Sequence, residues 1–237
     1  MKKSLIALLV ILTSTLAWSQ DRKDELERVE EAGTVLKEIM SAPDNGIPGE
    51  ILEHAKCVAV VPSLLKGGFI VGGAYGKGVA TCRNDQGKTI GEWSAPAFFR
   101  MEGGSFGLQA GGQAVDLVMV IMNERGMRAL LQSKFKLGAD ASVAAGPVGR
   151  HVEGMTDWKL RAQVLTYSRA RGLFAGISLN GAVIRQDAGD TRNFYGHMVR
   201  FKTILSGVVP PPEGSEPFLS AVRHYSTSTT TTAEKTE

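Results

Sequence analysis

Eleven glycines crowd into two short stretches of this chain. Gly67, Gly68, Gly72, Gly73, Gly76 and Gly78 fall within twelve residues, and Gly103, Gly104, Gly107, Gly111 and Gly112 within ten. The residues around them are β-branched or aromatic, as in "GGFIVGGAYGKGVATCR" and "WSAPAFFR", which is strand composition. A strand tolerates glycine poorly, so glycine inside one marks a bulge, a sharp bend or a close backbone approach. Two such strands predict a strongly curved sheet or a small closed barrel. The other use of bare backbone is a groove in which a ligand lies against it. Curvature is the commoner use and is the reading adopted.

Around this centre the periodicity sorts the rest of the chain. Asp21 to Met40 reads as an amphipathic helix, with Leu26, Val29, Ala32, Leu36 and Ile39 at three- and four-residue steps. "SAPDNGIPG" ends it, and Pro48 can open a short second helix. From Cys57 onward short strands follow, with a turn at "NDQGK". One helix interrupts them at "NERGMRALLQSK", with Asn123 as its N-cap. "AGDTRNFYG" reads as a short helix or turn. The expected class is α+β: a strongly curved, largely antiparallel sheet or small barrel with N-terminal helices packed on it. The boundaries read as a leader over 1–19, an amphipathic helix over 20–46, a main domain over 47–209 and a tail over 210–237. The tail opens on three prolines and ends in "STSTTTTAEKTE", a composition that predicts disorder.

The leader has a basic start at Lys2 and Lys3, an apolar run from Leu5 to Leu12 and a small-x-small site at Ala17-Trp18-Ser19. That pattern predicts a secretory signal peptide cut near Ser19, hence a periplasmic or secreted protein. The formal charge of +3 would become +1 after cleavage, because 27 − 2 leaves 25 basic residues against 24 acidic. No global charge is left to drive nucleic-acid binding, so any attraction to phosphate must come from a local patch. Cys57 and Cys82 are the two cysteines of the chain. After export they can pair as a disulfide or remain as two buried thiols.

Enzyme chemistry finds little footing. "KFKLGADASVAAGPVGR", residues 134–150, has the small residues of a phosphate loop but no Gly-Lys-Ser/Thr ending, and "GAYGKG" is not a dinucleotide fingerprint. His54, His151, His197 and His224 are scattered without a ligand-spaced cluster. Neither cofactor nor metal is expected. Asp116, inside "QAVDLVMVIM", and Asp140, inside "LGADASVAAG", are carboxylates in apolar runs. Each reads as a pocket acid or as a buried structural partner for a cation or a backbone N–H.

Four stretches carry a resemblance. "AKCVAVVPSLLKGGFIVGGAYGKGVATCR", "WSAPAFFRMEGGSFGLQAGGQAVDLVMVIMN", "FKLGADASVAAGPVGR" and "YSRARGLFAGISLNGAVI" together resemble the SYLF domain, also called the Ysc84 actin-binding domain, over about residues 47–196. The resemblance implies a lipid-binding module without catalytic residues. Its eukaryotic members bind phosphoinositides, partly through an amphipathic N-terminal helix, and some bind actin. The leader places this chain beside exported bacterial members. The expected partner is therefore an anionic phospholipid or membrane surface, with actin expected by family resemblance alone.

These readings converge on a non-enzymatic, exported lipid-binding module, phosphatidylinositol-type head groups included. The helix at 21–40 is acidic on its polar face (Asp21, Asp24, Glu25, Glu27, Glu30, Glu31), which points it toward the sheet and not toward an anionic membrane. The contact residues expected are the basic ones near glycine-rich turns: Lys66, Lys77, Arg100, Lys134, Lys136 and Arg150. The alternative is a structural or protein-interaction module of the cell envelope with no lipid ligand.

Overall fold

The computed structural model describes residues 22–42, 46–68, 71–84, 92–106, 111–132, 134–148, 162–170, 173–174 and 179–227. The leader, Phe69 and Ile70, residues 85–88 of the "NDQGK" turn and Arg150 lie outside them. Residues 22–40 form helix α1. It is followed by α2 (Gly49–Glu53), α3 (Glu124–Leu130), α4 (Ala188–Tyr195), α5 (Phe201–Leu205) and α6 (Glu216–Ser226). The strands are β1 (Cys57–Gly68), β2 (Val71–Asn84), β3 (Glu92–Trp93), β4 (Ala97–Phe106), β5 (Gly111–Ile121), β6 (Lys134–Lys136), β7 (Val143–Ala145), β8 (Val164–Ala170), β9 (Leu173–Phe174) and β10 (Val183–Gln186). They form one sheet in the order β6-β10-β4-β2-β1-β5-β8-β7, with β3 beside β2 and β9 beside β8. Every pairing is antiparallel except β7 with β8. The sheet curls into an open half-barrel, so the fold is α+β as expected.

Helices cover both faces of the sheet's middle. One core joins Val58, Val60, Val79, Phe98, Val118 and Val120 to α1, α2 and α6. The other joins Cys57, Ala59, Val61, Phe99, Met101, Leu117 and Met119 to α3 and α5. Alternation along each strand sends successive residues to the two cores. With both sides covered, "CVAVV" and "VMVI" can be apolar without a break.

The curvature has a local cause in β1. Val61 faces Leu117 and Leu64 faces Val115, so Pro62 and Ser63 oppose the single residue Asp116. This is a β-bulge, the place in a central strand where proline is tolerated. Ser63 sits at φ 54°, and its N–H donates to Asp116 Oδ1 at 3.1 Å. On β2, beside the bulge, Gly78 lies so close to β1 that a Cβ there would stand 2.4 Å from the Val60 carbonyl oxygen. Side chains must be absent at that point for the two strands to meet.

The carboxy-terminal tail is a correction. Disorder was expected from 210 onward, yet Glu216–Ser226 is helical and buries Phe218, Leu219, Ala221 and Val222 in the α1 core. Trp93 Nε1 donates to Ser226 Oγ at 3.1 Å, fastening the helix end to β3. Phe218, Val222 and Tyr225 recur at helical spacing, a stripe that the flanking prolines and threonines outweighed by composition. Cys57 and Cys82 face each other in the β1–β2 register and are joined as a disulfide.

Candidate functional site

Four cations stand in one row across the sheet. In the antiparallel registers Lys77 of β2 faces Arg100 of β4, Arg100 faces Arg185 of β10, and Arg185 faces Lys134 of β6. Their neighbours Phe99, Met101, Ile184 and Phe135 point into the α3/α5 core, so alternation turns all four cations to the opposite face. Lys136 follows two residues beyond Lys134 on the same face. Like charges directly opposite on a sheet repel, so the row requires compensation or a ligand.

The compensation is uneven. At one end Lys77 Nζ meets Asp190 Oδ1 at 2.8 Å and Asp187 Oδ2 at 3.5 Å. Asp190 is also held by Arg28 of α1 at 2.5 Å. Burial draws the Lys77 ammonium down, but the hydrogen bond and charge of Asp190, with Asp187, outweigh it and leave the pKa raised. In the middle Arg100 Nε donates to Glu102 Oε1 at 2.9 Å. At the other end, among the described residues, Arg185, Lys134 and Lys136 have no ion-pair partner, and the buried Nε of Arg185 has no acceptor. The open end of the row, beyond the Arg100–Glu102 pair, consists of Arg185, Lys134 and Lys136.

This geometry divides the residues singled out from the sequence. Arg100, Lys134 and Lys136 come together. Lys77 belongs to the row but serves as a structural anchor, a correction to its expected role as a free lipid contact. Lys66 follows Leu64 by two residues and therefore turns to the α3/α5 face, away from the row. Arg150 lies outside the described residues. Arg185 was missed, because its place beside Arg100 and Lys134 depends on a register between strands far apart in sequence.

The two carboxylates resolve as structural groups. Asp140 is exposed, and its Oδ2 accepts the N–H of Lys136 at 2.6 Å, closing its own turn. The expectation of a buried acid there is corrected: small residues made the surroundings look apolar, but they form a surface turn. Asp116 caps the β1 bulge, and its Oδ2 lies 3.5 Å from Arg169 Nη2, directly opposite on β8. Asp116 also lines a cleft of about 430 Å³ with Glu27, Glu30, Glu31 and Ser63. Burial and the neighbouring Glu27 raise the pKa of Glu31, and Arg28 partly offsets them. This cleft repels anions and does not belong to the cationic row. Among the described residues no group of three His, Cys, Asp or Glu side chains is placed to hold a metal ion.

A family model described as "Las17-binding protein actin regulator", Ysc84, matches residues 102–225. The chain belongs to the Ysc84 family. The match runs from the middle of β4 to the last turn of α6 and includes Lys134, Lys136 and Arg185. Among curated relatives, the rat SH3 domain-containing YSC84-like protein 1 is 37% identical over 177 residues, 74% of this chain and 51% of that protein. The human protein of the same name is 35% identical, over 74% of this chain and 50% of its own length. Protein YSC84 of Saccharomyces cerevisiae is 35% identical over 179 residues, 74% of this chain and 37% of the yeast protein. This Ysc84 chain spans about half the length of the animal relatives, or less of the yeast one.

Proposed function

We propose that this chain is a non-enzymatic binding module that attaches to anionic phospholipid surfaces through the open end of its cationic row. The observation that carries the reading is the alignment of Arg100, Arg185 and Lys134 in adjacent register, with Lys136 beside them and, among the described residues, no side-chain ion pair to the last three. Guanidinium groups bind phosphate oxygens bidentately, and ammonium groups add point charge. Each basic residue close to an anionic leaflet contributes about 1 kcal/mol. No helix among the described residues is long and apolar enough to cross a membrane. Within the described residues, a surface contact through the sheet is therefore the mode proposed.

Arg185→Glu, Lys134→Glu and Lys136→Glu together test this. The parent should float with vesicles containing phosphatidylglycerol or phosphatidylinositol lipids at low salt, stay behind with phosphatidylcholine alone, and detach as salt rises. Reversing three contacts worth about 1 kcal/mol each should weaken partition by a hundredfold or more. Lys77 stays untouched, because its loss would disturb Asp190. A triple variant with the parent's circular dichroism and unchanged flotation sinks the proposal. Export belongs to the same reading. It rests on the leader pattern, and an intact Met1 on the protein in the envelope fraction would contradict it.

A second reading has its own support. The family is described as Las17-binding and actin-regulating, and the yeast relative "LAS seventeen-binding protein 3" is 34% identical over 177 residues. The acidic cleft beneath α1 favours a protein with basic residues over a lipid. On this reading the triple variant leaves partner binding unchanged, whereas Glu27→Lys with Glu30→Lys weakens it.

A further inference from the structure

Glu25 is the misplaced charge of α1. It belongs to the acidic run of that helix, yet it is 2% exposed. Its Oε1 accepts a hydrogen bond from Asn193 Nδ2 of α4 at 3.3 Å, and its Oε2 is buried without a partner. The charged groups around it come from three elements. Arg28 lies one turn along α1, Asp190 and the N-cap Asp187 come from α4, and Lys77 reaches in from β2. On the side of the segment before α6 the contact is apolar, Gly214 against Leu26.

The charges of this cluster balance without Glu25. Arg28 and Lys77 supply two cations, and Asp187 and Asp190 two anions, all within the contacts given above, and Arg28 also faces Glu31 of its own helix. An ionised Glu25 adds a third anion whose second oxygen has no donor among the described residues. A buried carboxylate in that position is strongly disfavoured, whereas the neutral acid asks for far less. We infer that Glu25 is a protonation-controlled latch: as the neutral acid it seats the first turns of α1 on α4, and as the carboxylate it drives them off.

Burial is the largest cause pushing the Glu25 pKa up, the charge of Asp190 adds to it, Asn193 and Arg28 oppose it, and the result is about 7. The ordinary value is 4.5, so the folded value is the raised one. The stabilisation is therefore complete below 4.5 and disappears as pH rises through about 7. Opening frees Leu26 and Val29, the start of the apolar stripe of α1, while Lys77 keeps Asp190 and Asp187 in place. The rest of α1 stays docked through Leu36 and Ile39, both fully buried. The latch thus governs how much apolar helix surface the protein presents near neutral pH, independently of any ligand on the cationic row.

Hydrogen exchange on the full chain tests it, with rates corrected for intrinsic pH dependence. Between about pH 5.5 and about pH 8.5, a shift from 4.5 to about 7 predicts roughly 30-fold easier opening of residues 22–29. Residues 36–40 should change little. Glu25→Gln should hold the low-pH protection at both values. The Glu25 side-chain carboxyl carbon, followed by NMR in the parent, should titrate near 7 and not between 4 and 5. The latch is overturned by equal protection at both pH values, by a pH dependence that survives in Glu25→Gln, or by a carboxyl that titrates at its ordinary value. The NMR titration decides the case alone if the glutamine variant does not fold.

Discussion

Gly33→Ala is a substitution whose sign the packing reverses. In an isolated helix, alanine for an interior glycine gains about 1 kcal/mol. In this protein Gly33 is buried where α1 crosses the start of α6. A Cβ there would lie 2.3 Å from the Pro217 carbonyl oxygen, 2.8 Å from its carbonyl carbon and 3.3 Å from the Phe218 nitrogen. All three are backbone atoms, so no rotamer change relieves the clash. Relief requires α6 to back away by roughly 1 Å to reach ordinary contact distance. That movement drags Phe218, Leu219 and Val222, each at most 1% exposed, out of their places in the core. Overpacking of a tight core costs about 1–3 kcal/mol, and a backbone-on-backbone clash sits at the upper end. After the propensity gain is subtracted, the variant should be less stable by about 2 kcal/mol. Gly49→Ala is the control, because nothing lies within 4 Å of its Cβ position. It should be neutral or slightly stabilising. Urea unfolding followed by circular dichroism measures both. A Gly33→Ala protein at least as stable as the parent would show that α6 is not pressed against α1, and the reasoning fails.

Removing the Cys57–Cys82 disulfide, which spans a sequence separation of 25, should cost about 3 kcal/mol by the loop-closure argument. The unfolding midpoint of the double Cys→Ala variant reads this, and two free thiols in the denatured, unreduced parent would refute the bond itself. Asp116→Ala should cost about 1–2 kcal/mol, because the Ser63 N–H loses its acceptor at the bulge and Arg169 keeps only Glu38. Asp116→Asn retains an acceptor and should lose less than half as much; equal losses in the two variants would show that the bulge bond contributes nothing.

Local features of this fold were legible and register-dependent ones were not. The stripe of α1, the apolar runs of β1 and β5 and the Asn123 cap of α3 are statements about neighbours in sequence. Asn123 indeed accepts the N–H of Gly126 at 2.9 Å. Lys77 and Asp190 are separated by 113 residues, and nothing in "AYGKG" announces that its lysine meets two carboxylates. Arg185 joins Arg100 only through the β4–β10 pairing. Glu25 looked like one more acid of a solvated helix face, because the helix wheel cannot know that Asn193 and Asp190 approach from α4. Asp140 is the opposite case. Its bond runs to the backbone only four residues back, a local turn pattern that the sequence offered and the apolar setting obscured.

The uneven treatment of the cationic row bears on what the row is for. A ladder held for stability alone would be neutralised along its whole length, since opposed like charges are destabilising by up to about 1 kcal/mol per pair. The fold has the means to do so, and it does at Lys77, where two carboxylates from α4 and the Arg28 contact bind β2 to two helices. Beyond Arg100 it stops. The Arg185–Lys134 pair is left opposed, half of it turned to water, with a buried Nε that finds no acceptor. An external anion would screen the pair, which no side chain among the described residues does. The same strands therefore hold a closed charge network where they meet α4 and an open one at the β6 edge, and the open one is where the anion contact is proposed.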